Sequence, residues 1–157
     1  MGVDKIVQEL ILKFDKVLWG KNRIIPDLND VIRNLTTHWS KGGKLKKECQ
    51  YILGIQARKQ NKDKLVFNKP CRVNFVFIET DDKRDRDNIS SIGHKYILDT
   101  LQEVGILKND NNAVVREIRD KFYVGSKPMI IVRIKELTQE EIQKNEEERE
   151  VFENYGG

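Results

Sequence analysis

The segment CRVNFVFIET, Cys71 to Thr80, constrains the fold more than any other part of the chain. It is rich in Val, Ile and Phe and lies between Pro70 and an aspartate-rich loop, so it reads as a strand. Val73, Phe75 and Phe77 fall on one face and Val76 and Ile78 on the other, which predicts cover on both faces near its end. A strand of this kind needs a second layer, and the next segment supplies one. Between residues 88 and 104, Ile89, Ile92, Tyr96, Ile97, Leu101 and Val104 recur near helical spacing; Asn88 or Ser90 can cap the helix, and Gly105 suits a left-handed stop.

The remaining segments fill in around this pair. A first strand is expected around Leu10 to Leu18, with a short helix just before it, and Gly20 marks a break. Pro26-Asp27-Leu28-Asn29-Asp30 is a helix-start signal, followed by Leu28, Val31, Ile32 and Leu35 at helical spacing. Lys41-Gly42-Gly43 reads as a loop. Residues 44–60 read as a helix with Leu45, Cys49, Ile52 and Ile55 as its buried stripe. A short extended piece is expected at Leu65-Val66-Phe67. Ala113 to Val124 and Met129 to Ile134 read as a hairpin turning at Gly125-Ser126-Lys127-Pro128. Thr138-Gln139-Glu140-Glu141 matches a capping box, and the thinly apolar tail after it is either a solvated helix or disordered. The order of elements gives an α+β domain over residues 1–136, helices on a small mixed or antiparallel sheet, with 137–157 as an acidic helix or flexible tail.

Composition narrows the function classes. At 157 residues, with 38% apolar and 34% charged, the chain suits one modest core under a heavily charged surface. It has no apolar run long enough to span a membrane. The start, MGVDKIVQELILKF, carries acids and lacks a small-residue cleavage site, so no signal peptide is expected. Cys49 and Cys71 are too few for a disulfide framework and form no CxxC pair, which predicts reduced thiols and a cytoplasmic setting. Charge is uneven. From Glu136 onward there are eight acids and two bases, net −6; with +4 for the whole chain, residues 1–135 carry +10. A body that basic suggests a polyanionic partner.

The chemistry concentrates in residues 84–110, RDRDNISSIGHKYILDTLQEVGILKND. Asp85 and Asp87 are two apart, so in an extended chain both point to one side and can lean onto one cation. Hard divalent ions prefer such oxygen ligands and relieve the repulsion between the carboxylates. Asn88, Ser91, Lys95 and Asp99 share a polar helix face, from which Lys95 can reach back toward the aspartates or pair with Asp99. His94 is expected to be exposed and not a ligand, and Trp19 and Trp39 to be core or interface residues. Asp110 follows the turn at Gly105. The helix is about 25 Å long, so Asp110 meets Asp87 only if residues 108–112 run back alongside the strand ending near Thr80.

Taken together, Asp85-Arg86-Asp87-Asn88, Lys95 four residues before Asp99-Thr100-Leu101, Gly105, and Asp110 five residues later resemble the RusA family of Holliday junction resolvases, common in phages and prophages. The resemblance covers residues 10–135 and is sharpest at 84–110; the spacing from Asp87 to Lys95 is about four residues longer than in the shortest members, and Asn109 stands where an acid often precedes the last aspartate. The resemblance implies a RusA-like fold and a homodimeric, Mg²⁺-dependent endonuclease that nicks four-way DNA junctions in recombination and repair, with Mn²⁺ able to substitute. It implies that Asp85, Asp87 and Asp110 hold metal and that Lys95 stabilises charge on the reacting phosphate. Charge and position suggest Lys44, Lys46, Lys47, Lys83, Arg84, Arg86 and Lys108 as DNA contacts. Two other readings stand beside it: a junction-binding protein without cleavage, and a DxD-type nucleotide-sugar transferase, which the short chain and the lack of a Gly-rich phosphate loop disfavour.

Overall fold

The computed structural model describes residues 7–37 and 39–156, apart from the side chains of 36–42. In chain order the elements are β1 (Glu9–Phe14), α1 (Leu28–Thr37), α2 (Trp39–Gln60), β2 (Cys71–Glu79), α3 (Arg86–Glu103), β3 (Val115–Val124), β4 (Met129–Glu136) and α4 (Gln139–Gly156). The expected short helix before β1 falls largely outside the described residues, as does the side chain of Trp39; Trp19 is half-buried. The four strands form one sheet in the order β1-β4-β2-β3. β2 runs parallel to β3 and antiparallel to β4, and β1 is antiparallel to β4. The α+β class holds, with a mixed sheet.

β2 is one of the two interior strands, lying between β4 and β3. Its burial alternates along its length, with Cys71, Val73, Phe75, Phe77 and Glu79 buried and the residues between them half-buried. One face therefore carries the core and the other is only partly covered, where the sequence predicts cover on both. α3 closes the core face: Ile89, Ile92, Tyr96, Ile97 and Leu101 are buried, and a Cβ on Gly93 would lie 2.5 Å from the Phe77 ring. Gly105 adopts φ +81, the left-handed stop expected of it. The helix begins at Arg86 with Asp85 as its N-cap, ahead of the expected Asn88 or Ser90.

The structure corrects three further expectations. β3 and β4 are not hairpin partners, because β2 inserts between them and gains a neighbour on each edge. The 125–128 turn instead passes over the end of β2, where the Gly125 N–H donates to the Glu79 carbonyl at 2.8 Å. β1 ends at Phe14, since the chain turns back at Leu18–Arg23, with the Leu18 and Trp19 N–H groups donating to the Arg23 carbonyl. Lys41-Gly42-Gly43 lies within α2, near its start, where the expected loop does not form.

The buried stripe of α2 is also rotated from the expected one. Cys49, Leu53 and Ala57 are buried, while Ile55 is 45% exposed. Small residues set this register: a Cβ on Gly54 would stand 3.1 Å from Val104, so α2 meets α3 along its Gly54–Ala57 side. The extended piece at residues 65–67 survives as a parallel bridge between Phe67 and Leu107.

The tail is a helix. Thr138 and Glu141 form the expected capping box, each backbone N–H donating to the other's side chain at 3.1 Å. α4 has no buried residue. Ion pairs of Glu141 with Arg72 and of Glu146 with Arg116, and a hydrogen bond from Asn145 to Glu117, tie it to the sheet. Among the described residues no helix is long and apolar enough to cross a membrane.

Candidate metal and nucleic-acid site

The loop leaving β2 is fixed by a buried carboxylate. Glu79 continues the inward-facing alternation of β2 and so brings a charge into the protein. Two arginines compensate it: Arg84 binds both of its oxygens, at 2.6 and 2.8 Å, and Arg23 binds one at 2.9 Å. Arg84 also donates to the Ile25 carbonyl at 2.9 Å, and Arg23 to Asp81 at 3.0 Å. The Lys83 backbone N–H, together with Arg23, holds the Asp81 carboxyl below its usual range. These bonds join β2, the loop and the segment entering α1 into one polar knot. Sequence reasoning overlooked Glu79 and Arg23, although an acid in step with Val73, Phe75 and Phe77 is itself a signal that a cation must meet it.

From this knot the chain emerges at Asp85 and enters α3. Asp85 is the N-cap in extended geometry and makes no side-chain capping bond; Asp87 lies in the first turn. Both residues are exposed, and neither carboxylate has a hydrogen bond or ion pair among the described residues. The helix start thus offers backbone N–H groups free of a side-chain cap beside two open carboxylates, a setting suited to a phosphate and its counter-ion. Arg86 lies over the Phe122 ring, 5.6 Å from its centre.

Lys95 faces away from this pair. Its side chain is 64% exposed and its ammonium lies 3.4 Å from Asp99, toward the far end of α3. Asp99 also accepts from Lys46 at 2.6 Å. Burial pushes the Asp99 carboxyl up, but the bond from Lys46 and the charges of Lys46 and Lys95 outweigh it and leave the pKa lowered. His94 differs from expectation: its Nε2 lies 2.7 Å from Asp120, and its ring packs 4.7 Å from Phe75.

Asp110 is exposed and unpartnered among the described residues, but it lies at the other end of the sheet. Its segment is held at the start of β2, where the Lys108 N–H donates to the Phe67 carbonyl at 2.9 Å and the Cys71 N–H to the Val114 carbonyl at 2.7 Å. Asp85 and Asp87 follow the finish of β2. Nine strand residues separate the two ends, about 25 Å. Residues 108–112 do not run back alongside Thr80, so the return of all three carboxylates to one place within a single chain is corrected. The physical reason is the parallel β2–α3–β3 crossover, which carries the chain back to the beginning of β2 before β3 starts. Among the described residues no three His, Cys, Asp or Glu side chains converge as a metal-binding group.

The proposed DNA contacts divide in the same way. Lys44, Lys47, Lys83, Arg86 and Lys108 are exposed. Lys46 is committed to Asp99, and the Arg84 side chain is only 9% exposed and committed to Glu79, so Arg84 holds the loop and does not face a partner. No family model matches the chain, and no curated protein matches it.

Proposed function

We propose that the protein is a RusA-like, metal-dependent endonuclease acting on DNA junctions as a homodimer in the cytoplasm. The observation that carries this reading is the pair of open carboxylates, Asp85 and Asp87, on the uncapped first turn of α3, just beyond a loop that buried ion pairs make rigid. The donors suit Mg²⁺ or Mn²⁺, which bind through one or two carboxylates and keep several waters. Asp85 and Asp87 would hold the ion, and Asp110, at the opposite end of the sheet, would come from the second copy. Bound there, the ion would acidify a water and offset charge on the scissile phosphate.

The chain's own groups have distinct tasks. The open N–H groups at the start of α3 bind a phosphate oxygen. The Glu79–Arg84–Arg23 knot keeps Asp85 and Asp87 in place. Arg86, Lys83, Lys44, Lys47 and Lys108 supply cations for the phosphate backbone. Lys95 releases Asp99, which Lys46 still satisfies, and turns its charge toward the reacting phosphate.

Asp85→Asn tests this reading in cleavage and gel-shift assays on four-way junctions. Cleavage should become undetectable while binding stays within about threefold, because lysine and arginine contacts dominate affinity. A wild type that binds junctions with Mg²⁺ or Mn²⁺ present and never nicks them would leave the non-cleaving binder as the answer. An Asp85→Asn variant that cleaves like wild type would remove the site.

A further inference from the structure

α1, α2 and α3 pack on one face of the sheet. On its other face, among the described residues, nothing covers a groove of about 540 Å³. Ile11, Val76 and Ile131 form the apolar floor; Arg119, Lys121 and Arg133 stand around it. The register explains the pattern: Asn74 lies between Arg119 and Arg133, and Val76 between Lys121 and Ile131. The cations are unevenly neutralised: Arg72, also in the lining, is held by Glu117 and by Glu141 of the same chain. Arg133 is paired with Glu9 at 2.6 Å, Arg119 has only a 3.4 Å contact with Glu117, and Lys121 has no ion pair among the described residues.

The same chain carries a segment of opposite character. α4 has seven acids and two bases, net −5. It also exposes Val151, Phe152 and Tyr155, at 53, 69 and 83%. A lone helix of this length is marginal in water without an apolar face to bury. α4 does not fill its own chain's groove. Its first turn is tied to Arg72 at one end of the groove, but its later turns lie against Glu117 and Arg116 of edge strand β3, and Phe152 and Glu153 line a separate cleft with Asn112 and Arg116.

We propose that the outer half of α4 from a second copy of this chain occupies the open sheet groove, with the exchange made reciprocally about a twofold axis. Glu147, Glu148 and Glu150 meet Arg119, Lys121 and Arg133, and Val151 and Tyr155 cover Ile11, Val76 and Ile131. An amphipathic acidic helix fits this face better than a nucleic acid does. The centre of the groove is aliphatic, and sheets that bind single strands place aromatic rings there for base stacking. The proposal does not depend on the nuclease reading, and its readout is mass in solution.

The test is sedimentation equilibrium of the full chain at low and high salt. Wild type should be a dimer that weakens with salt. Glu147→Lys/Glu148→Lys/Glu150→Lys should dissociate at least about tenfold more readily, and so should Arg119→Glu/Lys121→Glu. Circular dichroism confirms that both variants are folded. An equimolar mixture of the two should recover a dimer, because the reversed charges complement one another. A monomeric wild type, a dimer indifferent to both variants, or a mixture that stays monomeric overturns the proposal. So does a sheet variant that loses duplex DNA binding with its mass unchanged, which would give the face to nucleic acid.

Discussion

Two kinds of acid meet at the end of β2, and they should respond oppositely to substitution. Glu79 is buried and shared by Arg84 and Arg23. Arg84→Ala leaves that carboxylate with one partner in a poorly solvated place and should cost about 3 kcal/mol, read from urea unfolding. Asp85 and Asp87 are exposed and unpaired among the described residues, so their Asn variants should unfold within about 0.5 kcal/mol of wild type. A large loss of stability in Asp85→Asn would mean that this residue belongs to the knot. The distinction was half legible in the sequence. The DxD stood out by its spacing, whereas Arg84 read as one more surface cation until Glu79 was placed on the inner face. The thiols of Cys49 and Cys71 are free and buried, and burial pushes them up to about 11 and about 12, so neither is a reactive group at neutral pH.

At the scale of elements, α3 and α4 are held by opposite means. α3 presses its backbone onto β2 at Gly93, against a Phe77 ring that is itself stacked between Phe75 and Phe122. That ring has no room to move, so Gly93→Ala should cost about 2 kcal/mol by overpacking, despite alanine's better helix propensity.

α4 is held by charge. The Thr138 backbone bond, and then Arg72, lower the Glu141 pKa. Glu117 is raised by burial but lowered more by Arg72 and Asn145. Both carboxyls therefore titrate below their usual 4.5 when α4 is docked. Their contribution is complete above that value and fades as pH falls through the depressed folded values. Amide protection factors in α4, taken relative to intrinsic exchange at each pH, should be flat from pH 6 to 8 and fall below about 4.5 before those of the sheet. Equal sensitivity of α4 and the sheet would contradict this.

Local signals read these elements well: the capping box of α4 and the glycine stop of α3 depend on neighbours in sequence. The hairpin and the α2 stripe failed because strand insertion and the close approach at Gly54 depend on residues far along the chain.

For the whole molecule, the decisive fact is the length of β2. A parallel crossover sets the start of one strand beside the start of the other, so residues flanking α3 must lie at opposite ends of the sheet. Spacing alone could group Asp85, Asp87 and Asp110 but could not show that they part within one chain. The nuclease reading then requires a second copy, and it makes a claim that a mixture of inactive proteins can test. Asp85→Asn and Asp110→Asn should each fail to nick a four-way junction. If Asp110 acts across the dimer, a mixed dimer holds one site with both substitutions and one site with neither. Nicking should therefore return when the two variants are mixed and allowed to exchange. A mixture as inactive as its parts would contradict a site shared between copies, and an active Asp110→Asn protein on its own would remove that residue from the site.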